Sequence, residues 1–402
     1  MTKAFFDHIS TTPLDPRVFE AMRPYFLERY GNPSSHIHDL GQAALRAVDQ
    51  ARAEVAALIG AKAGEIVFTS GATESNNLAV LGAAEGAGAG KRHVVVSDVE
   101  HFSVMNALIP LRNAGYEVTI LPVDRNGVVD PDAVRKALRA DTALLSVMHA
   151  NSEIGTIEPV GPIGRIAKEA GVTFHVDATA SAGHIPVDVR EIPADLVTLS
   201  AHNFYGPKGA GALYLREGTK VAPRTFGGFQ EMGYRAGTEN VPAVVGMGAA
   251  AILAEREMGT WAAHLSRLGK TLWDGLASIP MLHYTGHPSE RLPGHVSFWV
   301  EHVEGESLLL FLNMKGVMAA SGSACSSNLR GHDEEDLVAS PVLRAIGVPS
   351  DICTGSITLS LGKGNTSDEV RLALDALPGI VERLRAMSPT YLDYQKQQVK
   401  GG

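Results

Sequence analysis

The chain has 402 residues, 45% of them apolar and 20% charged, with a formal net charge of -9 and 2 cysteines. Length and apolar content predict a globular protein of roughly two or three domains, and the negative balance excludes the basic surface that nonspecific nucleic-acid binding requires. Two cysteines exclude a disulfide scaffold and any zinc site built from three or four of them.

Asp15 followed by Pro16 predicts a capped helix over 16–30, and a long amphipathic helix follows over 41–59. Short β-rich runs at 66–68, 94–97, 117–121, 144–148, 173–176, 196–199 and 212–215 then alternate with helical stretches near 73–84, 102–113, 130–138 and 163–170. This alternation predicts an α/β fold, a mostly parallel sheet covered on both faces by helices. A long helix over about 241–272 leads out of the layer. Strands at 294–300 and 356–361, with helices at 306–313, 340–346 and 367–384, predict a smaller α+β domain. The expected organisation is a large domain over 16–260, a small domain from 1–15 and 261–390, and a flexible polar tail at 391–402. No apolar run reaches the length of a membrane span, and no basic stretch leads into a long apolar one at the N-terminus, so a cytoplasmic protein is expected.

The polar motifs sit at strand ends. Ile66-Val67-Phe68 runs into Thr69-Ser70-Gly71-Ala72-Thr73-Glu74-Ser75-Asn76-Asn77, a strand, a glycine turn and a helix start. It reads either as a phosphate cradle of backbone amides or as an ordinary cap on a tight turn. His101, in Glu100-His101-Phe102, is a capping residue or an acid-base group, and Asn151, in His149-Ala150-Asn151-Ser152-Glu153-Ile154-Gly155, forms a turn or faces a ligand. Asp177 closes an apolar strand, where a buried carboxylate needs a partner, and it also reads as the cap of the next helix. Cys325 lies in the small-residue stretch Ala320-Ser321-Gly322-Ser323-Ala324-Cys325-Ser326-Ser327 and reads as an exposed nucleophile or an incidental thiol. Cys353 reads as structural, and His36 and His38 lack the companions of a metal site.

Together with Ser200-Ala201-His202-Asn203-Phe204-Tyr205-Gly206-Pro207-Lys208-Gly209, these motifs resemble those of the cysteine desulfurases of the NifS/IscS type, pyridoxal phosphate (PLP) enzymes of aminotransferase class V. The resemblance runs from Asp7 and Thr11-Thr12-Pro13 to Asn365-Thr366 and implies the PLP-transferase fold type I and a homodimer. By the resemblance Ala72, Thr73, Ser200 and His202 bind the PLP phosphate, while Thr238, in Arg235-Ala236-Gly237-Thr238, reaches that of the neighbouring subunit. It also implies that Asn151 meets the ring hydroxyl, Asp177 the ring nitrogen and His101 the ring face, and that Cys325 takes sulfur as a persulfide.

Three positions depart from the resemblance. Asn203 stands where a lysine forms the Schiff base with PLP and then shuttles a proton, and an amide does neither. Ala180 stands for a glutamine that supports the ring oxygen, and Thr358, in Ser356-Ile357-Thr358-Leu359-Ser360-Leu361-Gly362, for an arginine that clamps the substrate carboxylate. Lys363 follows nearby but would not reproduce an arginine fork. The expectation is a lysine-less desulfurase-like homodimer serving sulfur transfer or iron-sulfur cluster assembly with a scaffold protein. Cys325 would be its persulfide carrier or a cluster ligand, and PLP would be held noncovalently or as an aldimine with a free amine. Two alternatives stay open: a pocket repurposed for a ligand that is not an amino acid, with His101 and Cys325 as base and nucleophile, or a non-catalytic protein that docks a cluster scaffold through the Cys325 stretch.

Overall fold

Short apolar runs that alternate with amphipathic helices can bury both faces only by pairing side by side beneath those helices. The computed structural model, which describes residues 3–321, 340–349 and 356–401, has this arrangement. The chain opens with β1 (Ala4–Phe5) and two short helices, α1 (Pro16–Met22) and α2 (Pro24–Leu27), in place of the single helix expected over 16–30. Asp15 caps α1 as expected, accepting from the Arg17 N–H at 2.9 Å. Pro24 has no N–H to continue the ladder, and the run breaks there. His38 then caps α3 (Asp39–Leu58), its Nδ1 accepting from the Gly41 N–H at 3.2 Å.

The main layer runs β2 (Ile66–Thr69), α4 (Ala72–Gly86), β3 (His93–Ser97), α5 (Phe102–Met105), α6 (Leu108–Asn113), β4 (Glu117–Leu121), α7 (Pro131–Ala137), β5 (Thr142–Ser146), α8 (Val160–Ala170), β6 (Thr173–Asp177), β7 (Leu196–Ser200) and β8 (Gly211–Leu215). The helix expected over 102–113 is divided into α5 and α6 because Pro110 leaves the Asn106 carbonyl without its helical donor. The sheet order is β2-β8-β7-β6-β5-β3-β4. Strands β7, β6, β5, β3 and β4 pair in parallel, and β8 is antiparallel to both of its neighbours. Alternate residues of one strand feed opposite cores, as the strand period requires. Val94 and Val96 pack with Leu78 of α4, whereas Val95 packs in the cluster that holds Val48 and Val55 of α3.

Helix α9 (Val241–Leu276) has 36 residues. Its first half, with Met247 and Ala251, packs into the main core, and its second half, with Leu268 and Leu272, packs into another. That second core lies among β9 (Leu282–Tyr284), β10 (His295–Val300), α10 (Gly305–Met314), β11 (Val317–Met318), β12 (Ile357–Ser360) and α12 (Ser367–Met387), whereas α11 (Pro341–Ala345) packs through Val342 and Leu343 with Val99, Met148 and Ile154. Strands β12, β10 and β9 form an antiparallel sheet, while β1 pairs in parallel with β11 and brings the start of the chain here. The tail expected to be flexible over 391–402 is instead helical in α13 (Pro389–Gly401). Aromatic contacts tie it down: the His302 ring lies 5.8 Å from Tyr391 and 5.4 Å from Tyr394, and Arg385 covers Tyr391. Among the described residues no helix is long and apolar enough to cross a membrane.

Candidate active site

Parallel strands deliver their polar ends to one edge of the sheet, and the loops leaving β3, β5, β6 and β7 meet the start of α4 around a cavity of about 620 Å³. The lining brings together Ala72, Thr73, His101, Asn151, Asp177, Ala180, His202, Asn203 and Thr358. Ser200 and Thr238 do not line it. Ser200 is buried at the end of β7, its Oγ without a partner among the described residues, and Thr238 is exposed.

At the start of α4, Gly71 occupies the cap position and no side chain accepts from the first turn, which leaves its amides for an anion. Gly211 passes directly beneath: a Cβ there would come within 2.6 Å of the Gly71 Cα. Asp177 is 4% exposed, and its carboxylate accepts from Asn76 Nδ2 at 2.7 Å and from the Thr179 N–H at 2.9 Å. His101 caps α5, with Nδ1 3.1 Å from the Ser103 N and 2.7 Å from its Oγ, and the ring is exposed to the cavity. Asn151 closes a turn: its Oδ1 accepts from the Glu153 and Ile154 N–H groups at 2.8 and 3.0 Å, and its Nδ2 donates to the Val99 carbonyl at 2.9 Å. The turn reading of Asn151 is therefore met while the residue also lines the cavity.

After β7 a single tight turn carries His202 and Asn203. Asn203 is 5% exposed; its Nδ2 donates to the Ile9 carbonyl at 3.1 Å, and its buried Oδ1 has no partner among the described residues. His202 Nδ1 lies 3.1 Å from Thr11 Oγ1, and burial, aided by Lys208, holds the ring below the ordinary histidine range. Thr358 is spent on structure, since its hydroxyl donates to the Glu153 carbonyl at 2.9 Å. Lys363 is equally committed: its Nζ lies 2.6 Å from Asp15 Oδ2 and above the Tyr205 and Trp261 rings. No arginine lines the cavity among the described residues.

The wall is rich in carboxyl groups. Glu100 is pushed up to about 7 by burial, against the Ser97 hydroxyl at 2.6 Å and the Met148 N–H at 2.7 Å, and Asp177 pushes it further up. Glu153, bonded to the Ser340 hydroxyl, is also pushed up to about 7 by burial. Nearby, burial holds His149 and His175 down to about 4, so both stay neutral at pH 7. A space bounded by amide donors at one point and the Asp177 carboxyl group at another can take a phosphate and a protonated heterocycle. Among the described residues no group of three or more potential ligands is placed to hold a metal ion.

Cys325 and Cys353 lie outside the described residues. The flanks of the Cys325 stretch are described, and both reach the cavity: Ser321 lines it, and Ser340 bonds to the lining Glu153. Other contributors carry no obvious mark in the sequence. Asn76 and Ser103 sit within or beside quoted motifs, and their only signal is a polar residue on an apolar helix face. Glu231, 5% exposed, accepts from the two terminal Arg52 guanidinium nitrogens at 2.7 Å and from the Phe68 N–H at 2.7 Å, which fixes the loop leading to Arg235. Arg235 in turn pairs with the cavity residue Glu74 at 2.9 Å.

A family model described as aminotransferase class-V matches residues 4–372. A cysteine desulfurase IscS of Methanosarcina thermophila is 48% identical over 385 residues, spanning 96% of this chain and 93% of the relative. A second, from Dictyoglomus turgidum (strain DSM 6724 / Z-1310), is 47% identical over 388 residues and spans 96% of each. The solved structure of a NifS-like protein superimposes with a TM-score of 0.87 at 35% identity, covering 95% of this chain and 100% of that one. The fold is thus the PLP-dependent fold type I, and the chain belongs to the class V aminotransferase family, within its cysteine desulfurase group.

Proposed function

We propose that this chain is a desulfurase-like sulfur-transfer protein of the cytoplasm that serves iron-sulfur cluster assembly, with its PLP chemistry impaired or altered at Asn203. The observation that carries the reading is the Asn203 amide, which occupies the wall beside His202 and has no nucleophilic nitrogen to bond a carbonyl carbon. The residues fit PLP held noncovalently. The first turn of α4, with Ala72, Thr73 and His202, suits the phosphate, Asp177 suits the ring nitrogen, and His101 suits the ring face. Ser200, whose buried Oγ lacks a partner among the described residues, is a further donor for that end. When bound, PLP supplies an electron sink. The chain's own groups orient it: Asn76 and the Thr179 amide hold the Asp177 carboxylate in place.

Cys325 is the sulfur acceptor in this reading, supported by the two flanks that reach the cavity. Its thiolate attacks the sulfur of bound cysteine, and an S–S bond forms as the C–S bond breaks. The carbon keeps the electron pair and gains a proton, so the amino acid leaves as alanine and Cys325 holds the persulfide. Alternatively, Cys325 ligates a cluster carried by a scaffold protein. The exposure of Thr238 suits a residue that completes the cavity of a second copy, as an isologous homodimer requires.

The test is to load the protein with PLP, reduce it with borohydride and map the modified peptides. No lysine is expected to carry the cofactor in the natural chain, while Asn203→Lys gains it at that position. Sulfide release from free cysteine, without a helper protein, should be slow or absent. Rapid release together with PLP fixed on a chain lysine refutes the proposal. One observation favours a second reading, a ligand without an amino-acid carboxylate: Thr358 is tied to Glu153, Ala180 adds only a methyl, and among the described residues no arginine lines the cavity. Full activity of Cys325→Ala on such a ligand would exclude the version with a cysteine nucleophile.

A further inference from the structure

We infer that Asn76 and Ser103 hold His101 in the tautomer whose single ring proton is on Nε2, so that the ring meets a bound ligand as a hydrogen-bond donor and not as a base. The inference takes the identity of the site's ligand from the proposed function, but its geometry stands without it. The direction of every bond follows from the carboxylate end. An Asp177 carboxylate oxygen accepts, so Asn76, 2.7 Å away, must turn its NH₂ group toward it; the Asn76 carbonyl oxygen would face like charge. The second hydrogen of that NH₂ group goes to Ser103 Oγ at 2.8 Å. Ser103 Oγ is thereby an acceptor from Asn76, and its own proton is left for His101 Nδ1 at 2.7 Å.

A second donor reaches the same nitrogen. The backbone N–H of Ser103 points at His101 Nδ1 from 3.1 Å, and an amide N–H has no acceptor role to exchange for it. Two donors on Nδ1 leave it no proton, and the proton of the neutral ring belongs on Nε2, at the opposite edge. Asn76 and Ser103 are 0% and 8% exposed, so water does not compete for these bonds.

The consequence is chemical. A neutral imidazole N–H can steady an anionic sulfur or oxygen by donation, in the way neutral histidines polarise carbonyls elsewhere, but its Nε2 has no lone pair to receive a substrate proton. His101 therefore favours a ligand that arrives as a thiolate or other anion, and it does not supply the base of the second reading above. Asn76 and Ser103 are positioning residues, acting through His101.

The test is the ring itself. Long-range proton-nitrogen correlation spectra of the full chain, labelled at histidine nitrogen and free of cofactor and substrate, are assigned by the signal lost in His101→Gln. Spectra are recorded at rising pH until the nitrogen shifts stop moving; for that neutral ring, Nε2 should appear at the protonated-nitrogen position and Nδ1 at the unprotonated one. Ser103→Ala and Asn76→Leu should both move the pair toward averaged positions, and Ser103→Thr should restore the separation. A natural chain with Nδ1 protonated, or with already averaged nitrogens, overturns the inference, as does a separation unmoved in both variants. Neither result bears on sulfur release, and absence of sulfur release leaves the tautomer reading intact.

Discussion

Glu100→Gln offers a quantitative handle on the cavity wall. In the native chain one carboxylate oxygen takes the Ser97 hydroxyl and the Met148 amide, and the other is buried without a partner among the described residues. Burial and the nearby Asp177 raise the group from 4.5 to about 7. At pH 7.5 the unfolded chain has an ionised Glu100, whereas the native chain must either keep a proton or hold a buried charge. At ~1.4 kcal/mol per factor of ten in proton affinity, that difference costs about 3 kcal/mol. The sign is set by the raised value: the native state binds the proton over the interval from 4.5 to about 7, so the Glu100 contribution falls as pH rises through it and is level above. Glutamine removes this slope. It also places an amide NH₂ at the unpartnered oxygen, a loss of about 1–3 kcal/mol that does not vary with pH. Urea unfolding of both proteins at pH 5 and pH 7.5 separates the two effects. Relative to the natural chain, the variant should gain about 2 kcal/mol between the two pH values, whatever its offset, because part of the effect is already present at pH 5. Equal differences at both pH values would refute the assignment of a buried, proton-holding Glu100.

Two further variants probe how the fold supports the cavity. Glu231→Gln leaves Arg52 partly unpaired in a buried setting and should cost about 3 kcal/mol in urea unfolding; a loss below ~1 kcal/mol would mean that the pair is not what holds the 227–238 loop. Gly211→Ala drives a methyl into the Gly71 backbone beneath the start of α4, at 2.6 Å from its Cα. It should weaken PLP or inorganic phosphate binding at least tenfold in equilibrium titrations while leaving the helix content by circular dichroism unchanged. Unaltered binding would place the anion away from that turn.

The layered architecture was legible because it depends on local pattern: short β-branched runs separated by amphipathic stretches dictate a covered sheet whatever the details of contact. Where single residues interrupt the pattern, the boundaries moved. Pro24 and Pro110 divide helices that periodicity alone joins, and a few aromatic contacts convert a polar tail into α13. Much of the cavity was legible too, because strand ends carry its residues and the motifs mark strand ends. His101, Asp177 and Asn203, far apart in sequence, line one space for that reason.

Other features depend on pairs of side chains that no local signal connects. The Arg52 and Glu231 bond spans widely separated segments, as does the bond of Lys363 to Asp15, and only the folded chain sets which charges are spent on structure. The same holds for His101. Sequence establishes that a histidine follows β3 and that asparagine stands at position 203, and composition alone assigns the chemistry those groups lack. Which ring nitrogen carries the proton is decided by Asn76 and Ser103, because a hydrogen bond has direction and that direction exists only once donors and acceptors are placed in space.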